Sequence, residues 1–250
     1  MTEPRVGVTL PQFSDDIGVM ERAAGTAAEL GFDSLWLFDH LWPLSGGKDR
    51  PVLECWTTLA WLAERTDLHV GTLVTRSSLR NPTLLAHMAA TVASIAPGRL
   101  TIAIGSGDDM SRAENEAFGL PYWEGDERIE QLEETVEKVQ MHLASHDARP
   151  ALWVAGRSDD ALDIAARLAD GWNGWGGTAE RFRQDAANVV AMAEGRQLEL
   201  TWAGVVRSDE DGDTIRAIVE AGARHVIMTP PNASAPDAYE LPGRILGRLR

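Results

Sequence analysis

The 250-residue sequence predicts an α/β protein built as a single closed (β/α)8 barrel, a TIM barrel. Three observations carry that prediction. Eight short apolar runs alternate with eight helix-patterned runs along the chain. The apolar runs are nearly continuous, as in parallel strands covered on both faces, and parallel neighbours require a crossover connection. Several runs also follow a glycine placed to close a helix, in AELGFDSLW, ASIAPGRLTIAIG and VEAGARHVIM. The alternative is an open doubly wound sheet, whose first turn usually reads G-x-G-x-x-G; here that turn is LPQFSD.

In chain order, the predicted strands are residues 6–10, 34–38, 69–74, 100–105, 151–155, 171–175, 200–206 and 225–228. The predicted helices follow them at 19–30, 52–64, 83–96, 127–143, 159–168, 179–194, 213–221 and 236–249. The fourth helix is the clearest, with Ile129, Leu132, Val136, Val139 and Leu143 spaced at three and four residues and its glutamates outward. The fifth begins after Ser158, a residue type suited to capping it. Nothing resembles an interdomain linker, so residues 1–250 are expected to form one domain. Residues 41–51 and 107–125 are the long loops, and with Trp42, Tyr122 and Trp123 they are expected to form a lid or substrate wall.

Composition narrows the function. A content of 44% hydrophobic residues supplies a sizeable core, and the start MTEPRVGV has neither a cationic opening nor an apolar stretch behind it. No run of 18 apolar residues follows, so a soluble, cytoplasmic protein is expected. The formal net charge of −15 argues against nucleic acid and anionic membranes as partners and leaves a small-molecule substrate. The single cysteine, Cys55, excludes an intrachain disulfide and reads as a core residue within LECWTTL.

In this fold, chemistry sits where strands end and structure is built where they begin. That rule sorts the six histidines. His69 and His225 begin strands, His87 lies within a helix, and His142 and His146 close the fourth helix. Only His40, in LWLFDHL, ends a strand. One histidine at that face is too few for a barrel metallohydrolase and no H-x-H occurs, so no metal is expected. The other strand ends supply Gln12 and Phe13, Thr75 and Arg76, then Ser106, Gly107 and Asp108. Beyond them come Gly156, Arg157 and Ser158, then Asn173 and Trp175, Arg207 and Thr229. The turn in ALWVAGRSDDAL joins a strand end, a glycine, an arginine and a helix start, a combination that can hold phosphate.

Four segments together resemble the luciferase-like flavin and deazaflavin barrel superfamily, particularly its branch using the deazaflavin coenzyme F420. They are AELGFDSLWLFDHL, HVGTLVTRSSLRNPTLLAHMAATVASIAPGRLTIAIGSGD, RIEQLEETVEKV and PALWVAGRSDDALDIAARLADGWN, and the resemblance spans roughly residues 5 to 230. It implies an oxidoreductase that moves a hydride between coenzyme F420 and a small organic substrate. The ring would lie across the barrel mouth, propped by a bulge with a non-prolyl cis peptide at about Leu73, Val74 and Thr75. The ring's neighbours would include Asp39, Ser106 and Gly107, and its phosphate would meet Ala155, Gly156, Arg157 and Ser158. Arg76, Arg80 and Arg157 would offset the acidic tail of the cofactor.

The branch commonly ends its second strand in Asp-His, where FMN-using relatives often show Glu-His-His; this sequence reads Asp39-His40-Leu41. His40 is then the expected acid or base, because a hydride moved to or from a carbonyl or alcohol needs a proton to move as well. Asp39 would orient the imidazole or touch the ring. Asp108 stands where some relatives place a second acid-base glutamate, and it is shorter by one methylene. Glu114, Asn115 and Glu116 read as helix or loop polar groups. Phe13, Trp42 and Trp175 are the expected substrate contacts, and a homodimer is implied. An FMN-dependent monooxygenase on the same barrel and a non-catalytic flavin-binding barrel are the alternatives.

Overall fold

The computed structural model describes residues 3–44, 47–109, 111–147 and 149–250. Its strands are β1 (Arg5–Thr9), β2 (Ser34–Leu37), β3 (His69–Arg76), β4 (Leu100–Gly105), β5 (Ala151–Ala155), β6 (Gly171–Trp175), β7 (Glu199–Val205) and β8 (His225–Thr229). They pair in parallel, in sequence order, and β8 returns to β1 to close the barrel. The closed (β/α)8 barrel read from the sequence is the fold, and its strands fall within one or two residues of their expected bounds.

The helices are α1 (Ile17–Leu30), α2 (Cys55–Arg65), α3 (Pro82–Ile95), α4 (Ser111–Ala117), α5 (Gly125–Leu143), α6 (Asp159–Leu168), α7 (Ala179–Met192), α8 (Asp211–Glu220) and α9 (Glu240–Leu249). Short polar side chains accept from orphan N–H groups at several helix starts. Asp16 does so for α1, Asn81 ahead of Pro82 for α3, Ser158 for α6 and Thr178 for α7. Gly31 closes α1 in the left-handed conformation at φ 86°. Two departures from the sequence reading stand out. α9 begins at Glu240 rather than near residue 236, because consecutive turns over 232–240 occupy that chain. α4 lies inside a segment read as loop.

Two apolar layers hold the barrel. Outside it, helix faces pack on residues such as Val6, Val8, Leu35 and Leu37. Inside it, Trp36, Phe38, Leu73, Ala103, Trp153, Ala203 and Ile227 form a second cluster. The indoles of Trp36 and Trp153 stack across the axis with centroids 5.2 Å apart. They fit because facing positions are glycine: a Cβ would lie 2.4 Å from the Trp36 ring at Gly71 and 2.7 Å from the Trp153 ring at Gly171.

The strand-starting histidines build the opposite face, as expected. Trp36 Nε1 donates to Ser34 Oγ at 2.8 Å, and Ser34 Oγ lies 2.7 Å from His225 Nε2. His69 Nε2 meets Thr101 Oγ1 at 2.7 Å. Burial, aided by nearby Arg5, pushes His69 down to about 4 and His225 well below 6.5. His87, His142 and His146 bring their rings together outside the barrel. Among the described residues, no group of three His, Cys, Asp or Glu is arranged to hold a metal, and no helix is long and apolar enough to cross a membrane. Cys55 is buried in the core.

Candidate active site

The end of β2 delivers three side chains in succession: Phe38 into the barrel, then Asp39, then His40. Asp39 is 1% exposed, and its carboxylate is forked by Arg80, with Nη2 at 3.0 Å from Oδ1 and Nη1 on Oδ2. The backbone N–H of Arg76 adds a 3.3 Å contact to the same carboxylate. Arg80 also reaches Glu54, which accepts from the first N–H groups of α2 through Trp56 and Thr57. Asp39 therefore ties the end of β2 to the loop after β3 and to α2. Burial pushes its carboxyl above the ordinary 3.8, against the pull of Arg80 and Arg76.

The partner of His40 is Glu114. His40 Nδ1 lies 2.9 Å from Glu114 Oε2, while Glu114 Oε1 accepts from the backbone N–H groups of Leu41 and Trp42. Arg76 Nη2 stands 3.1 Å from Oε1, and both side chains are nearly inaccessible. Burial works to raise the Glu114 carboxyl, but the His40 hydrogen bond and charge, the Leu41 N–H and Arg76 outweigh it and hold it below 4.5. A neutral imidazole that donates from Nδ1 presents Nε2 as an acceptor, and His40 is partly open to solvent.

This corrects the sequence reading at Asp39, which does not orient the imidazole, since Arg80 takes both its oxygens. Glu114, read as a helix or loop polar group, lies on α4 and is the carboxylate that meets His40. Asp108, a candidate for the second acid-base group, accepts through Oδ1 from Ser111 N and Ser111 Oγ, so it holds the start of α4. It thereby braces the helix that carries Glu114.

At β3 the ladder with β4 shifts register between Thr72 and Thr75, and the Leu73–Val74 peptide is cis, where the resemblance places it. Thr75 Oγ1 is buried without a hydrogen-bond partner. At the exit of β4, Ser106 Oγ donates to Gly107 O, and Gly107 takes φ 76°.

Two glycine-bearing loops meet after β5 and β6. Gly156 has φ 149°, and a Cβ there would lie 2.7 Å from Ala161 Cβ, so its backbone runs close against α6. Ser158 Oγ accepts from Ala161 N. Arg157 crosses to the neighbouring loop, donating to Gly176 O at 2.6 Å and standing 3.3 Å from Asp185, so its charge is shared sideways rather than held for a ligand alone. A Cβ at Gly177 would sit 3.0 Å from that guanidinium. Asp159 and Asp160 occupy the first turn of α6, where their charge opposes an anion.

Of the expected substrate contacts, Phe13 stacks on Phe38 at 6.2 Å and Trp175 meets the same ring edge-on at 6.1 Å. Trp42 is set apart, packed on Phe118 with Lys48 over its face. In the loop 41–51, Ser45 and Gly46 lie outside the described residues.

Residues 1–247 match the family model described as luciferase-like monooxygenase. An F420-dependent glucose-6-phosphate dehydrogenase from Beutenbergia cavernae is 31% identical over 68% of this chain and 55% of its own length. An F420-dependent hydroxymycolic acid dehydrogenase from Mycobacterium tuberculosis is 28% identical over 77% of this chain and 57% of its own. The chain thus spans little more than half the length of these relatives. Among solved structures, an F420-dependent secondary alcohol dehydrogenase with an F420-acetone adduct superposes at a TM-score of 0.83 over the full length of both chains, at 16% identity. At that identity the likeness is one of fold. Joined to the family match over nearly every residue, it leaves a single assignment: the chain belongs to the luciferase-like monooxygenase family.

Proposed function

We propose that the protein is a coenzyme F420-dependent oxidoreductase, with His40 as the group that gives or takes the proton accompanying hydride transfer. The observation that carries this reading is the Glu114–His40 pair at the barrel mouth, which fixes Nδ1 and leaves Nε2 for a substrate oxygen. The names of the relatives support the choice of cofactor.

The residues present fit such a group. Thr75 Oγ1, buried and unpartnered beside the Leu73–Val74 peptide, offers a polar contact for a ring edge. The loops at Gly156 and Gly177 leave backbone where a side chain would crowd, and Ser106, Gly107, Ala155, Arg157 and Ser158 complete the surface offered to ring and phosphate. When bound, a deazaflavin supplies or accepts the hydride. The chain's own residues do the rest. Glu114 orients His40, Asp39 with Arg80 fixes the strand end behind it, and Phe13, Phe38 and Trp175 wall the mouth against water. A proton taken up at Nε2 meets the negative charge of Glu114 through Nδ1–H, which stabilises the imidazolium as it forms.

The substrate is a small organic molecule, the family resemblance supports a homodimer, and the sequence pattern supports a cytoplasmic location. Paired titrations with oxidised F420 and with FMN, followed by ligand fluorescence, test the cofactor; preferential binding of F420 is expected. FMN preference with oxygen consumption would instead support the monooxygenase chemistry in the family's description. The proton role is tested by His40→Ala, which should retain F420 binding and lose turnover.

A further inference from the structure

A cavity of about 520 Å³ opens beside the proposed chemical centre, between the ends of β1, β7 and β8 and the side chains of Leu44 and Arg50. Its volume is in the range of small-ligand sites. Phe13 and Phe38 give it an aromatic wall, and Phe38 is two residues before His40. Thr9 and Thr229 are among its lining residues, and the Oγ1 of each is buried without a hydrogen-bond partner. Arg50 and Arg207, both exposed, bring two guanidinium groups to the same lining; Arg50 Nη2 also donates to Phe13 O at 3.3 Å, and the Arg207 backbone N–H donates to Asp211.

The charge of this lining opposes that of the molecule. The chain carries 38 acidic and 23 basic residues, yet no carboxylate occurs among the described residues that line this cavity. Two cations on an acidic protein, set in a concave and partly apolar site, make a local positive field that attracts anions. The unpartnered hydroxyls add hydrogen-bond donors of the kind that fix an acid's oxygen atoms. The aromatic wall, in turn, selects a flat or apolar body.

We infer that this cavity is the substrate subsite and that it takes an organic acid: a carboxylate or phosphate monoester joined to an apolar body. Its anionic group lies toward Arg50 and Arg207, and its apolar part lies along Phe13 and Phe38. The inference rests on the reading of the barrel mouth as an active site.

The test uses three probes of one shape: 4-phenylbutanoate, its neutral amide, and 3-phenylpropyl phosphate. Each is titrated into the full chain by calorimetry and ligand-observed NMR at low salt, without cofactor. At least one of the two anions should bind about tenfold more tightly than the amide, and added salt should erode the difference. The stronger anion identifies the acid group. Arg50→Ala/Arg207→Ala should bring acid and amide within about twofold, and Arg50→Lys/Arg207→Lys should restore much of the preference. Circular dichroism checks that these rim changes leave the barrel folded. Equal binding of acids and amide, or a preference that survives the double alanine variant, overturns the subsite.

F420 titrations on the same samples separate this inference from the cofactor reading. An acid preference without F420 binding keeps the subsite and removes F420. F420 binding without an acid preference does the reverse. If the double alanine variant loses F420 affinity and keeps the acid preference, the two arginines serve the cofactor's tail and the inference fails.

Discussion

Nδ1 of His40 and Oε2 of Glu114 are 2.9 Å apart, and they join a barrel strand to a helix that stands outside the eightfold β/α repeat. Because Oε1 also binds two backbone N–H groups and faces Arg76, Glu114 does two jobs that substitutions separate. Glu114→Gln keeps the shape and removes the charge. We expect turnover to fall on the order of a hundredfold, with a changed pH–rate profile and F420 affinity within about twofold of wild type. Glu114→Ala also strips Arg76 of its buried partner, and unfolding in urea should show a loss of about 3 kcal/mol. A pH–rate profile of Glu114→Gln that overlays the wild type would remove Glu114 from the proton path.

Asp39 gives the contrasting case. Its carboxylate is committed to Arg80 and to the Arg76 N–H, so Asp39→Asn should cost about 2 kcal/mol of stability by weakening a buried charged hydrogen-bond pair and leaving Arg80 with Glu54 as its carboxylate partner. The pH–rate profile should keep its form, because His40 retains Glu114. A profile altered as in Glu114→Gln would place Asp39 in the proton path after all.

The first turn of α6 offers a gain rather than a loss. Asp160 lies close to the proposed phosphate position and its charge works against an anion there. Asp160→Asn should tighten F420 binding by about threefold, most visibly at low salt. Unchanged affinity would place the phosphate away from this helix start.

Stability should also report the buried imidazoles. His69 titrates near 4 in the folded chain and near 6.5 when unfolded, so the unfolded state takes up the proton first. Its neutral form therefore contributes stability at pH 7 that is lost as pH falls from about 6.5 to about 4. His225 adds to the loss in the same direction and starts in the same range. Melting temperatures across this window should fall, and His69→Gln should flatten part of the slope. A flat profile between pH 6.5 and 4 would contradict the burial of both rings.

The interior makes its own demand. Gly71→Ala places a methyl 2.4 Å from the Trp36 ring, so about 2 kcal/mol of stability should be lost and the near-ultraviolet dichroism of the tryptophans should change.

The barrel was legible because parallel strands covered on both faces are written as continuous apolar runs and glycines such as Gly31 mark where helices stop. His40 was legible because it is the one histidine that ends a strand. Glu114 was not. Its helix is seven residues long, and the residues it buries are Ser111, Glu114 and Asn115, so no apolar period announces it. Its partnership with His40 spans 74 positions of sequence and arises only when the chain closes. The pairing of Asp39 with the imidazole was misread for a related reason: the two neighbours in sequence take different partners, and Arg80, from the loop after β3, arrives only through the fold.

The stacked indoles of Trp36 and Trp153, with the Ser34–His225 contact beneath them, close the barrel's axis from below. Traffic through the protein is thereby confined to one doorway. Two ligands that share that doorway must queue: the one seated deeper arrives first and departs last, and steady-state kinetics would record this as a compulsory order of addition and release.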